Sequence, residues 1–162
     1  MSGFFGKMLM AAGMAVTLGG AAVAADMPNE VMTTYEVKGE FEDVRFALEN
    51  AIVNRGLVID YVSHIGDMLA RTGADVGGKK DIFAEAQTML FCSAVLSRAA
   101  MEADPANVAF CPYGVFVYEA ADMPGTVVVG YRNLSGIGSE ASRKALADVN
   151  ALLDEIVKEA AE

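Results

Sequence analysis

Cys92, Cys111 and His64, the single histidine, are the residues whose types could do distinctive chemistry in this 162-residue chain. Two thiols can close a disulfide or exchange one, and with an imidazole they make a soft set suited to copper, zinc or an axial position on haem. No C-x-x-C, no C-x-x-C-H for covalent haem and no short Cys/His spacing is present. Any metal or haem site of His64, Cys92 and Cys111 must therefore be assembled from distant segments. The stretch "AFCPYG", residues 109–114, is informative about direction. Pro112 has no N–H and restricts Cys111 to extended backbone, which aims the sulfur at the mouth of a strand. A sulfur so held suits a bridge, a ligand or tight packing equally. Tyr113 and Arg132, at the start and end of the strand pair that follows, complete the candidate ligand-binding set.

Other chemistries fit less well. Gly73, Gly77 and Gly78 are not followed in register by Lys-Ser/Thr and a helix start, so they do not form a phosphate loop. Ser63, Ser93 and Ser97 lack a nucleophile-elbow context near His64. Glu36, Glu40, Glu42 and Asp43 read as a solvated acidic edge. No catalytic residue is assigned.

The elements that must position these side chains follow from periodicity. "VMTTYEV" (31–37) suits a first strand. "FEDVRFALENAIVNRG" sets Val44, Ala47, Leu48, Ala51 and Ile52 on one helical face, with acidic residues at its start and Arg55-Gly56 at its end. "LVIDYVSHI" (57–65) is a strand in which strict alternation groups His64 with Val58, Asp60 and Val62, opposite Leu57, Ile59, Tyr61 and Ile65. A helical turn over Asp67–Arg71 and a glycine-rich loop precede the strand "AEAQTMLFC" (84–92). Ser93 caps a short helix that ends at Asp104-Pro105, and an extended run follows to Phe110. "VFVYEA" and "TVVVGYR" are strands joined through Pro124-Gly125, and Ser139 caps a last helix over 139–160.

The order β-α-β-β-α-β-β-α favours a two-layer α+β domain, with helices on one face of a mainly antiparallel sheet. A strand-helix-strand crossover makes its strands parallel, which predicts that Cys92 and Cys111 lie at opposite sheet ends, about 20 Å apart. A disulfide needs Cα atoms within about 7 Å. The run 105–110 offers a return path, so bridged and unbridged states both stand.

The chain around this domain narrows its setting. Residues 1–24 have a lone positive charge at Lys7, an apolar run from Met8 to Leu18 and Ala22-Val23-Ala24 before Ala25, the layout of a cleaved secretory signal. The run is too short to span a bilayer. Residues 25–162 then form one periplasmic or secreted domain, where two cysteines default to a disulfide. The net charge of −10, with no basic cluster, excludes nucleic acid and an anionic membrane surface as partners.

"LFCSAVLSRAAMEADP" followed by "AFCPYGVFVYEA" resembles the bacterial domain-of-unknown-function family 302, over about Tyr35 to Arg132. That family's pattern has a Cys-Asn-Pro-like element, a helix, an Asp-Pro break and a Pro-Cys element opening a strand. Here Ser93-Ala94 follows Cys92, and Cys111 precedes its proline, the layout of a divergent exported branch. The resemblance implies a compact α/β domain, often dimeric, with no established reaction. The sequence thus leads to an exported binding or accessory protein rather than an enzyme, dimeric through its open sheet face, with a small ligand, metal or haem-like group near His64, Cys92 and Cys111. A structural module with a Cys92–Cys111 staple and a thiol redox protein are the alternatives.

Overall fold

The computed structural model describes residues 31–135 and 138–162; the expected secretory signal, 1–24, lies outside them. Five strands, β1 (Met32–Lys38), β2 (Ile59–His64), β3 (Phe83–Phe91), β4 (Tyr113–Ala120) and β5 (Thr126–Arg132), form one sheet. Its order is β1-β5-β4-β3-β2 and every neighbouring pair is antiparallel. The helices are α1 (Phe41–Val53), α2 (Ile65–Thr72), α3 (Ala94–Ala103) and α4 (Glu140–Ala161), with a 3₁₀ helix over Pro105–Phe110.

Alternation along each strand explains the two layers. Met89 and Phe91 on β3, Val115 and Val117 on β4, and Val127 and Val129 on β5 are fully buried, facing Leu48 and Ile52 of α1 and Val149, Leu153 and Ile156 of α4. Each such side chain contributes roughly 1.5–3 kcal/mol by leaving water. This is the α+β, helices-on-one-face architecture that the order of elements predicts.

Three local features differ from the sequence-based expectation, each for a physical reason. The first is the connection from β3 to β4. It does not cross the sheet: Phe91 pairs with Tyr113, and the strands are antiparallel. Asp104, extended at φ −160°, ends α3 and its carboxylate accepts the Ala106 N–H, starting the 3₁₀ helix in place of an extended run. Asn107, buried inside that turn, donates to the Ala100 carbonyl and to Ser142 Oγ, both at 2.8 Å. The excursion is thereby folded back to the sheet end it left.

The second difference is a bulge in β2. Ile59 pairs with Phe91 but Tyr61 pairs with Leu90, which leaves Asp60 as an extra residue. Strict alternation fails there. Ile59 and Val62 both pack toward the helices, while Tyr61 is 61% exposed on the opposite face. The third is α2, eight residues long where a single turn is expected; none of its side chains is buried.

The face of the sheet away from α1 and α4 carries Leu90, Thr88, Phe116, Tyr118 and Arg132. Phe116 lies across Gly130: a Cβ there would come within 2.7 Å of the Phe116 ring. The ring also stacks on Tyr118, which meets Phe83 edge-on. Glycine at 130 is thus what allows an aromatic row to lie flat on this face.

Candidate functional site

The antiparallel β3–β4 pairing decides where the cysteines go. Cys92 follows the Phe91 that pairs with Tyr113, and Cys111 precedes Tyr113 by two residues, so both reach the same sheet end. Their sulfurs are 2.7 Å apart as free thiols, both half-buried. The separation of about 20 Å expected for a parallel crossover is corrected by the return through the 3₁₀ helix. Cys111 is extended at φ −112°, ψ 131°, the conformation that the following Pro112 demands.

The surroundings favour the protonated form of Cys92. Burial first, then the hydrogen bond and charge of Cys111, push Cys92 up to about 11. Ser97 stands at the centre of the group, with its Oγ 3.6 Å from Cys111 Sγ and donating to the Tyr113 hydroxyl at 3.1 Å. Burial also raises Tyr113, against the lowering effect of the Ser97 hydrogen bond. Cys92 is thereby a poor nucleophile, and the two sulfurs are well positioned to bond to each other.

His64 is elsewhere. It pairs with Gln87, five residues along β3 from Cys92, which at ~3.3 Å per residue is roughly 16 Å toward the other end of the sheet. Its side chain is 57% exposed, and Asp67, at 3.9 Å, is its only ion-pair partner among the described residues. The structure does not bring His64 together with the cysteines: the half of β3 from Gln87 to Phe91 lies between them. Among the described residues no group of three His, Cys, Asp or Glu side chains could hold a metal ion.

Beside the cysteine pair lies a cleft of about 370 Å³, within the usual range for small-molecule sites. Ala109, Phe110 and Pro112 form one wall, Leu90, Thr88 and Phe116 the sheet side, and Met32, Leu134 and Arg132 the far side, with Tyr113 and Gly114 between them. Tyr113 and Arg132 thus share one cleft next to the cysteines. Sequence inspection missed Leu90, Gly114 and Phe116. The signal for Gly114 and Phe116 was the off-phase alternation of β4, where Gly114, Phe116 and Tyr118 alternate with the buried Tyr113, Val115 and Val117, and Leu90 alternates in the same way with Met89 and Phe91 on β3.

A second polar cluster ties α4 to β1. The Tyr35 hydroxyl donates to Asp154 at 2.7 Å, Tyr131 lies at 3.5 Å and Lys158 pairs with the same carboxylate at 2.6 Å. Burial raises the Asp154 carboxyl, but the hydrogen bonds from Lys158 and Tyr35 outweigh it and hold the group below the usual range. Tyr35 is raised, chiefly by burial, so this cluster offers a docking contact for the helix rather than an acid or base near neutrality.

The comparisons agree with this architecture. A crystal structure of an uncharacterized conserved protein of the family from Bacillus stearothermophilus matches with a TM-score of 0.66 at 14% identity, covering 80% of this chain and 98% of that one. No curated protein matches. The family model "Domain of unknown function DUF302" matches residues 33–161. That span holds every described strand and helix except the first residue of β1, and the chain belongs to the DUF302 family.

Proposed function

We propose that the protein is an exported, non-catalytic binding module, in which a Cys92–Cys111 disulfide fixes one wall of a small-ligand cleft. The observation that carries this reading is the continuity between the sulfur pair and that wall: Ala109, Phe110 and Pro112 flank Cys111 directly. Bridging needs the sulfurs to close from 2.7 Å to a bond of about 2.05 Å. Two thiols then lose two protons and two electrons to a disulfide donor of the oxidising compartment. Export rests on the leader-like residues 1–24.

The thiol-redox alternative is disfavoured by Cys92, whose thiol is pushed up to about 11, opposite to the shift of an exchange-active cysteine. A metal or haem held jointly by His64, Cys92 and Cys111 lacks a common position. The binding-module reading also pairs two copies of the chain through the open face, and what supports it is the aromatic contact of Phe83 with Tyr118 toward the end of β4 away from the cleft.

Intact mass of the exported protein, alkylated in denaturant with and without prior reduction, tests the staple. The expected result is a chain lacking residues 1–24 that takes up label only after reduction. Two thiols labelled without reduction overturn the bridge, and a retained leader overturns export. Sedimentation equilibrium tests the dimer, which a monomer at all concentrations removes.

A further inference from the structure

One cross-strand row on the open face explains the cleft's shape and its chemistry. Tyr61 pairs with Leu90, Leu90 with Gly114, and Arg132 with Met32. Gly114 and Arg132 stand one step beyond the Val115–Tyr131 pair in the same antiparallel register. The row therefore reads Tyr61, Leu90, Gly114, Arg132, Met32, with no side chain at its middle. A Cβ on Gly114 would lie 3.1 Å from Leu90 Cδ2 and 3.6 Å from Thr88 Cγ2. The missing side chain is the floor of the cleft.

Arg132 is the only charged residue among the described residues that line this cleft. Arg45, Arg55 and Arg98 each hold a carboxylate of the protein. Arg132 is exposed and holds none among the described residues, in a chain of net charge −10 with acidic groups in excess. An unpaired guanidinium beside Leu90, Phe110, Phe116 and Leu134 presents a two-pronged donor to an anion and an apolar surface to whatever carries it.

We infer that the ligand of this cleft is a small amphipathic monocarboxylate, its acid group on Arg132 and its apolar body over Gly114 against Phe110 and Phe116. This rests on the binding-module reading above and names its ligand class. One cation matches one negative charge; a polyphosphate would require basic neighbours, and the described lining holds none besides Arg132.

The test uses the oxidised, leader-free protein and the neutral dye N-phenyl-1-naphthylamine, whose fluorescence reports occupancy of an apolar site. Decanoate is expected to displace the dye saturably and decanol to do so at least tenfold less well. Arg132→Gln should remove that preference, so that decanoate and decanol displace the dye equally from that variant. Gly114→Leu, which fills the floor, should abolish displacement, with circular dichroism confirming the fold. Equal displacement by decanoate and decanol, or an unaltered preference in Arg132→Gln, overturns the carboxylate assignment and leaves the binding module standing. Failure of the dye to bind saturably, or binding that survives Gly114→Leu unchanged, removes the cleft as a ligand site and the binding module with it.

Discussion

The end of β3 that leads to Cys92 and the end of β2 that carries His64 hold the two kinds of chemically capable residue in this protein, and they are built differently. At the cysteine end, Phe91 and Ser93 are buried, Ser93 Oγ caps α3 by accepting the Leu96 N–H, and Asn107 and Ser142 lock the returning chain to α4. At the other end, His64 opens α2, a helix with no buried side chain, followed by the exposed loop 74–82. Its closest tie to the sheet is backbone approach: a Cβ on Gly66 would meet the Ala86 nitrogen at 2.8 Å. The contrast shows that reactive residue types make a site only where the fold fixes their direction. The sulfurs are fixed by a strand pair, a helix cap and a buried amide; the imidazole hangs from an edge.

The strongest way to sharpen the contrast is to hollow each end in turn. Phe91→Ala should cost about 3–5 kcal/mol, because a fully buried ring leaves a cavity that its neighbours only partly fill. Met68→Ala on α2, exposed at 41%, should cost under about 0.5 kcal/mol. Urea unfolding of both variants checks this, and similar losses would show that the two ends are equally built. Bridging comes next. Closing the segment from Cys92 to Cys111 should raise stability by roughly 3 kcal/mol over the reduced protein, on the loop-entropy model. Equal denaturation midpoints with and without reductant would show that the bridge constrains nothing.

Smaller effects probe the polar frame. Asn107→Ala leaves the Ala100 carbonyl and Ser142 Oγ without the amide that bonds them, at a cost of about 1–3 kcal/mol. It should also loosen the 3₁₀ helix that carries the cleft wall, seen as faster hydrogen exchange at residues 107–111; unchanged exchange would detach the wall from this network. The reduced protein carries a pH signature as well. Cys92 is raised from 9.0 to about 11, so the folded state binds its proton more tightly than the unfolded chain does. That contribution is complete below pH 9 and is lost as pH rises toward 11. The oxidised protein has no such titration, so alkaline unfolding of the two forms should diverge in that window.

Much of this was legible in the sequence, and what was not has particular causes. Helix α1 was readable because its apolar positions repeat every three to four residues and α4 covers that face. The antiparallel sheet followed from the order of elements. The approach of the cysteines did not, because the return depends on a 3₁₀ turn whose key contact, Asn107 to Ser142, spans 35 residues. His64 was misplaced by one bulged residue: Asp60 shifts the phase, so alternation counted through it assigns every later side chain of β2 to the wrong face. The cleft was hidden for a related reason. Gly114 matters through the side chain it lacks, and nothing local to "CPYGV" tells that its neighbours across the sheet are Leu90 and Arg132.

The smallest expected effect is the one that most directly separates the two ends. His64 and Asp67 are both more than half exposed and 3.9 Å apart, a distance at which an ion pair in water is worth little even when the imidazole is protonated. His64→Ala should therefore change unfolding free energy by less than about 0.5 kcal/mol at pH 7. It should leave displacement of the dye by decanoate unaltered, since its partner Gln87 alternates along β3 with the cleft-lining Thr88 and Leu90 and so belongs to the opposite face of the sheet. Thermal unfolding and the displacement titration, run side by side on this variant, check both statements. A loss of stability above 1 kcal/mol, or a weakened decanoate response, would mean that the edge carrying α2 is coupled to the cysteine end through β3. In that case the imidazole would belong to the same functional unit as the sulfurs despite the distance between them.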